Sequence, residues 1–195
     1  MLSIKPSGRR AMRQSGLTLI ELLISITVLS ILTTQVIPSF IDTLENYRST
    51  QTIKRIKHQT HKARHLAITT NKVVTLCKSD DLKTCGGSWN NGLLVFIDNN
   101  QNANVDDNDI IYSAVNKPVI NGDLSWRSFG NKAYLQFLPS GRTNNQNGTF
   151  TFCPSNKPAT NAKGFSITKT GRSQMALDRN SDGIPENSSG TPLRC

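Results

Sequence analysis

The sequence predicts an α+β protein in which one long N-terminal helix packs on a C-terminal antiparallel β domain. Three observations carry this. Residues 17–40 form an apolar run with a single formal charge, Glu21. From residue 41 to about Asn71, apolar residues recur every three or four positions, the period of a helix. Beyond Asn71 that period gives way to short runs rich in β-branched and aromatic residues, with Gly, Asn, Asp and Pro between them.

Residues 1–16 read as a basic leader. They hold Lys5, Arg9, Arg10 and Arg13 and no acidic residue, so the positive-inside bias leaves the N-terminus in the cytoplasm and exports everything after Phe40. As a helix, residues 17–40 are about 36 Å long, enough for a hydrocarbon core of about 30 Å. A secretory signal peptide would have an apolar region of only about 7–15 residues ending in a small-x-small site, and no such site follows Val36. The small residue, Gly16, precedes the run. A cut there keeps the helix, removes only the leader and takes the formal charge from +10 to +6, which still favours polyanions. Glu21 is the anomaly, because a carboxylate costs about 2.5–3.5 kcal/mol at a bilayer centre and less near an interface. It calls for a partner. Pro38 removes one helical hydrogen bond and is expected to bend the helix.

Residues 41–71 continue the helix as an amphipathic segment. Ile53, Ile56, Thr60, Ala63 and Ala67 form the stripe expected to pack on the β domain, while Lys54, Arg55, His58, His61, Lys62 and His65 share the opposite face. A solvated or subunit-facing surface is the plain reading of that face, since Leu44 and Tyr47 fall on the same side. A divalent metal on the histidines and phosphate contacts by the cations are the two functional alternatives.

Residues 72–195 form the β-rich domain, with strands expected near Val73–Cys77, Leu93–Ile97, Ile110–Val115, Leu124–Phe129, Ala133–Leu138, Thr149–Cys153, Phe165–Lys169 and Ser173–Leu177. Two loops raise calcium: one with Asp98, Asn100, Asn102, Asp106, Asp107 and Asp109, the other from Asp178 to Gly183, which copies the start of an EF-hand loop. The second has Ser189 where the bidentate Glu belongs, and no helix is expected beside either loop. Asx turns that bond their own backbone are the expected explanation of both, so no metal or other cofactor is assigned. Four cysteines in an exported domain point to disulfides, and three pairings exist. Cys77 with Cys85 closes a short loop, and Cys153 with Cys195 tethers the tail; this pairing is favoured over a zinc site, whose C-x2-C spacing is absent.

Several of these segments together resemble a known family. Gly16-Leu17-Thr18-Leu19-Ile20-Glu21 resembles the processing and methylation motif of type IV pilins and type II secretion pseudopilins. The resemblance implies that a prepilin peptidase cuts after Gly16, that Leu17 is N-methylated and that Glu21, as the fifth mature residue, acts in assembly. Leu17 stands where the family prefers Phe. Pro38 matches the helix-kinking proline common in these proteins. Trp89-Asn90-Asn91-Gly92-Leu93-Leu94-Val95-Phe96-Ile97-Asp98, Phe137-Leu138-Pro139-Ser140-Gly141-Arg142, Gly148-Thr149-Phe150-Thr151-Phe152-Cys153 and Thr170-Gly171-Arg172 resemble the GspH/FimT family of minor pilins and pseudopilins.

The resemblance implies a structural subunit that joins a tip or priming complex of a type IV pilus or a type II secretion pseudopilus. Its partners are the prepilin peptidase and other pilin or pseudopilin subunits. It would sit first in the bacterial inner membrane, as a single pass with a periplasmic C-terminal domain, and then in the filament. Some members capture DNA in natural transformation through a G-R-x-R motif. Gly171-Arg172-Ser173-Gln174 supplies only the first Arg, although Lys163, Lys169, Arg172, Arg179 and Arg194 keep the C-terminal region basic. No G-x-S-x-G, P-loop or H-E-x-x-H occurs, so no catalytic residues are expected and the chain is not expected to be an enzyme.

Overall fold

The structure is a computed structural model that describes residues 16–119, 121–155 and 161–195; of residues 35–39 and 42 it describes the backbone only. The leader cations therefore lie outside the described residues, as does the side chain of Pro38. The chain divides into two compact units, Met1–Asp42 and Thr43–Cys195. Helix α1 runs over Leu19–Thr70 and continues through Pro38. In the first unit its large apolar side chains, from Leu19 and Ile20 to Leu32 and Phe40, are exposed. Among the described residues no helix is long and apolar enough to cross a membrane.

The second unit has a core of its own. Among the described residues eight strands follow α1: β1 (Val74–Lys78), β2 (Gly92–Ile97), β3 (Ile110–Asn116), β4 (Gly122–Ser128), β5 (Tyr134–Phe137), β6 (Gly148–Pro154), β7 (Lys163–Ile167) and β8 (Ser173–Met175). They form two four-stranded antiparallel sheets, ordered β3-β2-β1-β5 and β4-β6-β7-β8. Every expected strand forms, with ends that shift for local reasons. β4 stops at Ser128 because Phe129–Asn131 turns into a short 3-10 segment. β8 stops at Met175, and Leu177 pairs instead with Glu186 across the following loop.

The stripe Ile53, Ile56, Thr60, Ala63 and Ala67 is buried. Its Ile53, Ile56, Ala63 and Ala67 join Val74, Leu76, Leu93 and Val95 of the first sheet and Phe150, Phe152, Phe165 and Ile167 of the second in one core. β2 reads as an unbroken apolar run because both of its faces are covered. Leu93 and Val95 face the main core, whereas Leu94 and Phe96 pack with Cys77 and the partly buried Leu82, Val105 and Tyr134 on the other side.

Among the described residues the two sheets share no strand pairing, and the residues just ahead of β2 tie them together. The Trp89 ring meets Phe150 edge-on at 5.1 Å, and Phe150 stacks on Trp126 at 4.4 Å. Asn90 donates to Asp123 at 2.7 Å and accepts from Leu124 N at 2.7 Å. This stretch is a junction between sheets rather than a surface for a ligand.

Two disulfides are present, Cys77–Cys85 and Cys153–Cys195. Within the first loop the exposed Asp81 accepts from Thr84 N and Lys83 N, each at 2.8 Å. Those bonds, backed by the hydroxyls of Thr84 and Ser79, hold its carboxyl well below the usual carboxylate range.

Candidate functional site

The N-terminal end of α1 is built by its sequence. Thr18 caps the helix, its hydroxyl accepting from Glu21 N at 3.3 Å while its carbonyl accepts from Leu22 N. Thr18-x-x-Glu21 is thus a capping-box spacing, a local role for Glu21 that the pattern carries and that the expected assembly role does not include. The reciprocal bond from the Glu21 side chain is not formed, and among the described residues its carboxylate has no hydrogen-bond partner. Gly16 and Leu17 are exposed. Along the helix the hydroxyls of Ser25, Thr27 and Ser30 each donate to the carbonyl four residues back at 2.7 Å, and those of Thr33 and Thr34 do so at 3.0 and 3.1 Å. Every hydroxyl of the described apolar segment from residue 25 to residue 34 is satisfied within the helix itself.

A second constellation lies in the globular unit. Phe137–Arg142 and Ile167–Arg172 form two hairpin tips of the same design. In one, Gly141 N donates to Leu138 O and Leu138 N to Arg142 O; in the other, Gly171 N donates to Thr168 O and Thr168 N to Arg172 O. Each is a three-residue loop whose glycine takes the left-handed position, φ 74° and 76°. The tips pack against each other over Arg64 of α1, whose Nε donates to Gly141 O at 2.8 Å. A Cβ at Gly171 would lie 2.0 Å from Gly141 O and 2.8 Å from Arg64 Nε. Gly171→Ala therefore combines a disfavoured φ with a backbone collision and is expected to destabilise the unit by about 2–4 kcal/mol, read from urea unfolding of a Thr43–Cys195 fragment.

The packing of these tips brings the cationic face of α1 to the C-terminal motif. His61, Arg64, His65, Arg172 and Ser173 line one open concavity, with His61 Nε2 at 2.6 Å from Ser173 Oγ. Partial burial, followed by the positive charges of Lys57, Arg64 and His58, pushes the His61 pKa below its ordinary 6.5. Arg64 is the residue that sequence reasoning missed. It is one position from the expected cationic face, and nothing local marks it as the support of two turns about 80 and 110 positions away. Among the described residues the three histidines do not converge on a metal, and Lys62 lies instead over the Tyr112 ring at 5.7 Å.

The five C-terminal cations do not form one patch. Arg172 lines the concavity beside α1, whereas Arg194 lines a groove with Arg127 and Asn187. Lys169 sits over the Phe129 ring at 5.6 Å. Lys163 is on β7, paired with Phe152, and Arg179 is exposed in the loop after β8. Strand register disperses residues that the linear sequence groups together.

Residues 52–171 match the family described as Type II transport protein GspH, and residues 11–34 match the prokaryotic N-terminal methylation motif. The chain belongs to the GspH family. It is a type IV pilin-like protein of the group that comprises minor pilins and type II secretion pseudopilins. The structure of the type IV minor pilin FimU from Pseudomonas aeruginosa PAO1 is similar at a TM-score of 0.51 and 18% identity, over 75% of this chain and 98% of the FimU chain. The minor pseudopilin EpsH from the Type 2 Secretion System of Vibrio cholerae gives a TM-score of 0.47 at 11% identity, over 66% and 95% of the two chains. No curated protein is significantly similar in sequence. The GspH region ends at Gly171, so the first hairpin tip lies inside it, while Arg172 and the acidic loop after β8 lie beyond it.

Proposed function

We propose that this GspH-family chain is a minor filament subunit, acting in the tip or priming complex of a type IV pilus or a type II secretion pseudopilus rather than as an enzyme. The observation that carries this is the first half of α1. It is an exposed apolar helix whose hydroxyls bond internally and whose one carboxylate, Glu21, has no partner among the described residues. Such a surface is suited to an apolar surround, first an inner-membrane bilayer and then the packed helices of a filament, with residues 17–40 as the anchor. Prepilin peptidase cuts after Gly16 and Leu17 is N-methylated. The new amino group and Glu21 then pair between neighbouring subunits, because a misplaced subunit would leave a buried charge uncompensated at a cost of about 3–5 kcal/mol. Glu21→Ala is expected to be processed normally and to fall at least tenfold in sheared filaments relative to the wild type. Equal amounts of mutant and wild type in the filament fraction would refute the role.

A second reading, DNA capture, is favoured by one specific observation: His61, Arg64, His65 and Arg172 line the same concavity. Phosphate contacts there would need no base readout, and Arg172 offers a planar fork that matches phosphate. Binding of duplex DNA by a Thr43–Cys195 fragment should fall steeply with salt and weaken several-fold in Arg172→Gln. It should strengthen as pH falls below 6.5, since a polyanion favours protonated His61 and binding takes up a proton. Stability runs the opposite way. The unfolded chain protonates His61 first, so this residue's contribution is lost as pH drops from 6.5 toward its lower folded value. Absence of any gel shift at low salt and micromolar protein would dismiss DNA capture and leave the filament role untouched.

A further inference from the structure

We infer that the loop after β8, Asp178–Glu186, is a calcium site. The two Asx-rich loops differ in how their buried carboxylates are satisfied. In the first loop Asp98 is 1% exposed and saturated with protein donors. Its Oδ2 accepts from Thr75 Oγ1, Gln136 Nε2 and Ala103 N at 2.7, 2.8 and 3.0 Å, and its Oδ1 accepts from Asn102 N at 3.1 Å. That loop closes on itself and leaves its buried carboxylate nothing to give an ion.

The second loop is the converse. Glu186 is 4% exposed, yet its Oε1 is buried with no hydrogen-bond partner, Oε2 alone accepting from Arg179 N at 2.8 Å. A buried carboxylate oxygen without a donor is costly. One oxygen from each of Asp178, Asp182 and Glu186 lies within 4.8 Å of the others. Among the described residues no Lys or Arg side chain pairs with any of the three. Asp182 Oδ2 accepts from Asn180 Nδ2 at 2.8 Å, so the unmet demand is that of Glu186, and a hard cation among these carboxylates supplies the positive partner that the protein does not give it.

The loop's order of residues fits that cation. Counting Asp178 as the first position, Asn180 is third, Asp182 fifth, Gly183 sixth with φ 87°, and the Ile184 carbonyl falls at the seventh. The twelfth position, Ser189, is not an acid, but Glu186 at the ninth is carried inward by its bridge to Leu177 and its second bridge to Pro192. The backbone already curls around the site, with Gly183 N donating to Asp178 Oδ2 at 2.9 Å and Ile184 N to Asp182 Oδ1 at 2.8 Å. All-oxygen donors of this size and flexibility select calcium over magnesium, which demands near-ideal octahedral geometry and keeps its water. The loop lies outside the GspH-matched residues 52–171, and the inference is independent of the filament role.

Calorimetric titration of the full-length chain in detergent, first stripped with chelator, tests this. Calcium chloride should bind with one-to-one stoichiometry and a Kd of about 10⁻⁵–10⁻³ M, and should raise the melting temperature. Glu186→Gln and Asp182→Asn should each weaken binding at least tenfold. Asp182 is exposed, so its variant keeps the fold if Glu186→Gln does not. No binding up to 10-fold above the weaker limit would overturn the site. So would binding that survives both variants, which puts the ion elsewhere, and equal affinity for magnesium chloride would overturn the assignment to calcium.

Discussion

Gly16→Val should leave the chain uncleaved, with Met1–Gly16 still attached and no N-methylated Leu17 in the mass spectrum. Among the described residues, a Cβ built at Gly16 meets nothing within 4 Å, so no packing demand from them explains a glycine there. On the proposed processing, the constraint lies outside the molecule, in a peptidase that must close on the backbone at the cut. Because the added side chain collides with no described residue, the precursor should accumulate to the level that the wild-type protein reaches. Mature protein beginning at Leu17 in the variant would show that the glycine is not read, whereas loss of the precursor altogether would point to a folding role that the open surroundings of Gly16 do not support.

Cys153→Ser together with Cys195→Ser should lower stability by about 4 kcal/mol. The crosslink joins residues 42 apart, and on the chain-entropy account a loop of that length constrains the unfolded state by roughly that amount. For a unit of this size the melting temperature of a Thr43–Cys195 fragment should fall by roughly 8–15 °C. The Cys77–Cys85 bridge spans only 8 residues, so its removal should cost about 2.5 kcal/mol on the same account. A larger effect at Cys77–Cys85 would show that crosslink length is not what decides. The tail beyond β8 should suffer most, since Leu193 is buried against Gly164 of β7 and the bridge pins the chain two residues further on.

The strands were legible because the signals that make them are local. Alternation in Phe150-Thr151-Phe152 and the unbroken Leu93-Leu94-Val95-Phe96 both follow from which faces the sheets cover. The GspH motifs were legible for a related reason: Trp89, Asn90 and the two hairpin glycines each answer a demand that few residues satisfy. What lay beyond the sequence was adjacency between distant segments. Arg64 and Arg172 fall on the same concavity only because two hairpin tips stack over the helix. Asp98 looked like a member of an acidic loop and is instead the buried hub of Thr75, Gln136 and Ala103. Glu186 escaped a position-by-position template because a β-bridge, not its place in the loop, turns it inward.

The junction formed by Trp89 and Asn90 has a consequence for how the globular unit comes apart. Sheets that exchange no strand could open one at a time, as separate cooperative blocks. Here the aromatic contact of Trp89 with Phe150 and the amide clasp of Asn90 on Asp123 and Leu124 span the gap. Freeing either sheet would expose the core of the other. Amide protons in the middle of β1, β2, β6 and β7 should then exchange with solvent at one common rate set by complete opening, while those of the edge strands β3, β4, β5 and β8 escape earlier by fraying.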